Sequence, residues 1–159
     1  MPELSASMAA RSTRRSRRSS EPPAAPRDVR EALRQRLQLT LGCTRAPRTA
    51  ALGPAVAIAL RRTLPRRQAW QAGVPALQPL QDPAAEAAMS PEQVVAAYRL
   101  LRLLWLAELV FGDRELAHKW LAQPKIRLYG AAPVLLAQNP RQAGLIERWL
   151  VDIDEGNGP

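Results

Sequence analysis

The stretch that most constrains the fold is SPEQVVAAYRLLRLLWLAELVF, residues 90–111. Ser90-Pro91-Glu92-Gln93 reads as a capping box with proline at the first helical position, because Gln93 can reach back to the cap. Gly112 closes the segment, which predicts a helix roughly 30 Å long at 1.5 Å per residue. Val94, Tyr98, Leu101, Leu104, Trp105, Leu109 and Phe111 share its circumference with Leu100, Leu103 and Leu106, and only Arg99, Arg102 and Glu108 interrupt the apolar surface after the first turn. A helix apolar all round is either central in a bundle or shared with a second subunit. One small domain is expected to cover such a helix incompletely, which favours a homodimer meeting at Leu103 and Leu106.

The rest of the chain must supply the covering layers. Alanine and leucine dominate and β-branched residues are sparse, which favours helix over sheet. The 15 prolines in 159 residues hold those helices to short pieces. The expected fold class is all-α, a small helical bundle around the long helix. Asp28 caps a helix to about Leu41, with Val29, Leu33, Leu37 and Leu41 on one stripe, and Gly42 ends it. Pro54 opens a second short helix to about Arg62, and LPRRQAWQA suggests another between Pro65 and Gly73. Residues 74–89 are rich in proline and read as a linker. Asp113 caps a helix through Ala122 with Leu116, Trp120 and Leu121 inward. Pro133 starts a short helix, and Asn139-Pro140 starts the last, with Ile146, Trp149, Leu150 and Ile153 on its buried face. Between Pro124 and Pro133 a bent segment presents Lys125, Arg127 and Tyr129 on a loop between fixed helix ends, a placement favoured by binding residues. Tyr129 packed simply against Trp120 is the alternative.

Charge divides the molecule. Residues 1–67 hold 15 Lys/Arg against 4 Asp/Glu, whereas residues 68–159 hold 8 against 10. The organisation expected is a disordered Arg/Ser-rich tail over 1–26, a helical region over 27–73, the linker over 74–89 and a near-neutral domain over 90–159. Basicity in the first half suits a polyanion; a solvated tail is the plainer reading. Arginine outnumbers lysine 21 to 2, a bias that a GC-rich coding sequence explains as well as any selection for guanidinium chemistry.

Catalysis finds little support. Cys43 is the single cysteine and His118 the single histidine, so no metal site can be built on thiolates. With no cysteine near His118 in sequence a Cys/His nucleophile pair has little support, and His118 is expected to be a partly exposed structural residue. No phosphate loop, dinucleotide fingerprint or nucleophile elbow occurs. No cofactor, no metal and no enzymatic activity are expected. One cysteine fits a cytoplasmic setting, and no apolar run near the start is long enough to span a bilayer. An Arg/Ser-rich organellar transit peptide is the competing reading of the tail.

From Ser90 onward the pattern resembles the toxin-binding domain of the Xre/MbcA/ParS antitoxin family. The residues that carry the resemblance are FGD at 111–113, WL at 120–121, Pro124, Leu128 with Gly130, Pro133, LL at 135–136, Gly144, Glu147, Leu150, Ile153 and Gly156. The family often has Gly-Gly and Thr-Pro where this chain has Tyr129-Gly130 and Ala132-Pro133. Loss of the threonine cap should cost on the order of 1 kcal/mol of local helix stability.

The resemblance implies an antitoxin that binds a RES-domain toxin, an enzyme that degrades NAD or uses it for ADP-ribosylation, and covers its NAD pocket with the C-terminal region. The implied toxin-binding residues are Lys125, Arg127, Tyr129, Glu147, Asp152, Asp154, Glu155, Asn157 and Pro159. Asp152, Asp154, Glu155 and the Pro159 carboxylate form an anionic end suited to a pocket that holds a pyrophosphate. The family's N-terminal half often carries a promoter-binding helix-turn-helix. RRTLPRR, residues 61–67, is similar to its local pattern, which makes Arg61, Arg62, Thr63, Arg66 and Arg67 candidate DNA contacts, although Pro65 breaks the would-be recognition helix. A stand-alone DNA-binding regulator is the alternative function.

Overall fold

The computed structural model describes residues 28–66 and 68–158; the expected tail over 1–26 lies outside them. Among the described residues the regular structure is entirely helical, as the composition suggests. Seven α-helices run in the order α1 (Val29–Leu41), α2 (Gly53–Thr63), α3 (Pro83–Ala87), α4 (Pro91–Phe111), α5 (Arg114–Ala122), α6 (Pro133–Leu136) and α7 (Pro140–Asp154), with short 3₁₀ turns between some of them.

Local chemistry accounts for most of the boundaries. Asp28 accepts a hydrogen bond from the Arg30 amide at 2.8 Å, and Gly42 closes α1 in the left-handed region at φ 68°. At the start of α4 the Ser90 amide donates to Gln93 Oε1 at 2.8 Å, while Ser90 Oγ accepts from the Gln93 amide at 3.3 Å. Both halves of the capping box are therefore made. Asp113 and Asn139 cap α5 and α7 through the same kind of side-chain oxygen. Ala132 offers no side-chain cap to α6, consistent with the lost threonine and with a helix of only one turn.

The core is organised around α4, which packs against α1, α2, α5, α7 and the turn at Pro75–Gln81. Leu100, Leu101, Leu103 and Leu104 are wholly buried, and Leu106 nearly so. Each such side chain contributes about 1.5–3 kcal/mol through removal from water. From Leu100 to Ala107 the apolar circumference of the helix is thus covered by its own chain, while Leu109, Val110 and Phe111 are only partly buried. Leu103 and Leu106, expected at a dimer contact, lie inside the protomer.

The stretch expected as a linker contributes to that cover. Residues 75–81 wind into a 3₁₀ turn, and α3 follows, capped by Asp82. Val74, Ala76, Leu77 and Met89 are buried in the common core. Proline fixes the backbone angle without forbidding such turns, so proline-rich sequence here yields compact turns rather than a free connection. The helix expected across residues 65–73 is also reduced, to a turn at Ala69–Gly73.

The inward face of α5 differs from expectation. Leu121 is buried and Trp120 partly buried as expected, but Leu116 is 56% exposed, and Ala117 and His118 point inward in its place. His118, expected to be partly exposed, is only 4% exposed. Nine residues make two and a half turns, too few for periodicity alone to fix which side faces the core.

Candidate functional site

The loop between α5 and α6 combines a fixed backbone with exposed apolar side chains. Pro124 follows the end of α5, and Ile126–Leu128 form a single 3₁₀ turn. The Lys125 amide donates to the Ala131 carbonyl at 3.1 Å, and the Gly130 amide returns to the Lys125 carbonyl at 2.9 Å. Two further bonds, Tyr129 N–H to the Ile126 carbonyl at 2.9 Å and Ala131 N–H to the Leu128 carbonyl at 3.0 Å, fill the turn. Yet Ile126 is 98% and Tyr129 102% exposed. The sequence alternative in which Tyr129 packs against Trp120 is therefore not adopted.

Tyr129 also has φ 54°, the only positive φ at a non-glycine among the described residues. A bulky residue held there costs about 1–2 kcal/mol of backbone strain. The hydrogen bonds around it and Gly130, at φ 83°, maintain the conformation. The chain thus keeps an aromatic ring in water at a backbone position suited to glycine.

Beneath the loop lies an aromatic string. Phe111 and Trp120 have ring centroids 5.7 Å apart, and Trp120 meets Trp149 edge-on at 4.9 Å. The two loop cations rest on this string: Lys125 Nζ lies 4.9 Å from the Trp120 centroid, and Arg127 Cζ lies 5.0 Å from that of Trp149. Each contact is worth about 0.5–1 kcal/mol at an exposed site. Burial lowers the Lys125 ammonium below its ordinary pKa. Lys125 and Arg127 therefore brace the loop as well as carry charge.

Beside the loop, α7 continues the surface. Leu145 is 59% exposed. A hollow of about 150 Å³ lies between Arg127, Leu128, Leu145, Arg148, Trp149 and Asp152. Asp152 therefore stands beside Arg127 of the loop. Asp154, Glu155 and Asn157 are exposed on the segment after it. That segment turns back on α7: the Asn157 amide donates to the Asp152 carbonyl at 2.8 Å, and Gly156 adopts φ 77°. A Cβ at Gly158 would come within 2.8 Å of the Ile153 side chain, so glycine is needed for this close approach. Pro159 lies outside the described residues.

Glu147 is separate from this group. On another face of α7, its carboxylate receives Arg102 Nε at 3.1 Å and Nη2 at 3.0 Å, forming a bidentate pair. The proposed DNA contacts are also dispersed. Thr63 is buried, accepting from Trp105 Nε1 at 2.8 Å and donating to the Ala59 carbonyl at 2.9 Å. This removes it from any outer surface, because losing those bonds would leave buried polar groups unpaired. Arg61 is ion-paired with Glu86 and also donates to the Leu80 carbonyl. Arg62 and Arg66 are exposed, and Arg67 lies outside the described residues.

A polar centre that periodicity does not reveal surrounds Glu108, whose side chain is 10% exposed. Arg36 donates to it at 2.8 Å, Arg114 Nε lies 3.2 Å away, and His118 Nε2 lies 3.7 Å away. Burial lowers the His118 pKa, aided by Arg114 and opposed by Glu108. A neutral imidazole enclosed in this way is poorly placed to meet a substrate. Burial likewise raises the Cys43 thiol, which keeps it protonated. Among the described residues there is no cluster of His, Cys, Asp and Glu able to hold a metal, and no helix is long and apolar enough to cross a membrane.

Comparison with known proteins falls on the same part of the chain. Residues 106–156 match the family model of the antitoxin Xre/MbcA/ParS C-terminal toxin-binding domain. A curated relative, Antitoxin Xre from Pseudomonas putida, is 33% identical over 61 residues, covering 38% of this chain and 38% of that protein. The chain thus matches well under half the length of this relative. No solved structure gives a significant match. The matched residues 106–156 contain the loop, its aromatic support and α7.

Proposed function

Taking the Xre/MbcA/ParS antitoxin domain of residues 106–156 as the premise, we propose that this chain neutralises a protein toxin by docking the loop of residues 125–130 and the adjoining outer face of α7 against it. The observation that carries this reading is the pair Ile126 and Tyr129, fully exposed on a hydrogen-bonded loop. A tyrosine and an isoleucine on a preformed backbone lose little conformational freedom on binding and bury a large apolar area. Leu145 extends the apolar patch, and Lys125, Arg127 and Asp152 give it a charged rim.

The partner is a RES-domain toxin that consumes NAD or transfers ADP-ribose. The anionic terminal segment with Asp154, Glu155 and Asn157 covers its NAD pocket, the acidic groups standing in for the pyrophosphate. Gly156 and Gly158 let that segment lie close against α7 in the free protein, so it must swing out to enter a pocket. Glu147 serves this role indirectly, by tying α7 to α4 through Arg102.

Co-expression with a RES-domain toxin tests the reading. The full chain should restore growth and cellular NAD and should co-purify with the toxin at fixed stoichiometry. Removal of residues 154–159 should keep the fold and lose neutralisation. Full protection by the truncated chain refutes pocket coverage, while failure of the full chain to bind refutes the partner.

A further inference from the structure

A cleft of about 500 Å³ opens where α1, the turn after it, α4 and α7 meet, sharing only Arg148 with the hollow beside the loop. Arg30, Arg34, Arg45, Arg102 and Arg148 line it, with Glu147 as its one carboxylate. Arg102 is occupied by Glu147, and Arg34 reaches Glu31 at 2.6 Å. Among the described residues, Arg30, Arg45 and Arg148 form no ion pair within 4.0 Å. The fold therefore gathers three uncompensated guanidinium groups around one opening, against their mutual repulsion.

We propose that this cleft binds a small polyphosphate anion, a pyrophosphate group or the phosphates of a nucleotide. Guanidinium forks match phosphate oxygens two at a time, and several on separate elements can close around one multivalent anion. The volume falls within the ordinary range of about 300–1,000 Å³ for small-ligand sites. The lining offers no aromatic ring on which a base or peptide side chain would stack, so charge rather than apolar contact selects the ligand. The geometry also explains the position of Arg102. Its bidentate pair with Glu147 neutralises the deepest cation, leaving the outer arginines to meet the ligand. Arg45 is delivered to the rim by the turn after Gly42, whose φ of 68° reverses the chain at the end of α1. A bound anion would thereby link α1 to α7.

The test is calorimetric titration of the full chain with inorganic pyrophosphate, repeated with orthophosphate and with a short DNA duplex as competitor. The comparison variant is Arg30→Gln/Arg45→Gln, whose two side chains are exposed and lie away from the loop of the toxin-docking proposal. Residues 1–27 remain in both proteins, so any difference reports the cleft. Saturable one-to-one binding of pyrophosphate, tighter than that of orthophosphate, is expected. The double variant should bind at least about tenfold more weakly, the effect of losing charge-assisted hydrogen bonds, with an unchanged circular dichroism spectrum. Equal binding by the variant, no saturable binding, or duplex binding that the variant loses and pyrophosphate does not displace overturns the proposal.

Discussion

The core around α4 and the loop after α5 use apolar residues in opposite ways. In the first, the leucines from Leu100 to Leu106 vanish beneath the chain's own helices. In the second, Ile126 and Tyr129 stand in water although the backbone beneath them is closed by hydrogen bonds. The core gains its stability by covering apolar surface. The loop uses part of that stability to hold a strained tyrosine outward. Apolar content alone therefore says little about role; what matters is whether the same chain covers it.

The largest expected effect lies in the core. Leu103→Glu buries an unpaired carboxylate where there is no exposure, and the protein should fail to fold rather than change its oligomeric state. Circular dichroism and gel filtration check this; a folded monomeric variant would show that α4 meets a second subunit after all. Next comes the loop. Ile126→Ala with Tyr129→Ala should weaken toxin binding by about 2–4 kcal/mol, the range of an anchor pair, while leaving the melting temperature nearly unchanged. A similar loss of stability would place these side chains in the fold instead.

Glu108→Ala should cost about 1–3 kcal/mol in chemical denaturation, reduced because Arg36 and Arg114 can return to water. Tyr129→Gly should have two effects of opposite sign. It relieves the positive φ, raising stability by up to about 1 kcal/mol, and it weakens the partner contact. The smallest effect is on pH dependence. His118 is held neutral in the fold by burial, whereas the unfolded chain takes up a proton near an ordinary pKa of about 6.5. Stability should be full above that value and decline as pH falls below it toward the lower folded pKa. Replacing His118 with Gln should flatten this slope, with Glu108, Arg36 and Arg114 still facing the site; an unchanged slope would assign the pH response to other groups.

The boundaries most legible in the sequence were those set by short-range chemistry. Asp28, Ser90, Asp113 and Asn139 cap helices where their oxygens can reach amides two or three residues away, and Gly42 and Gly112 end helices in the left-handed region. The loop was equally legible from Pro124, Gly130 and Pro133. Long-range choices were not. The pairing of Trp105 with Thr63, or of Arg102 with Glu147, joins residues more than forty positions apart, and no local pattern announces it. Burial of Val74 and Leu77 depends on α4 offering a free side. The family match at residues 106–156 falls within the stretch that carries the resemblance, but only tertiary structure separates Glu147 from the loop.

The most direct measurement is the affinity of the intact chain and of its Tyr129→Gly variant for a RES-domain toxin, with melting temperatures recorded in parallel. If the loop is a partner surface held at the expense of stability, the variant should melt at the same or a higher temperature and bind at least about tenfold more weakly. Equal affinity with unchanged stability would contradict it and leave the exposed tyrosine without a role in toxin recognition.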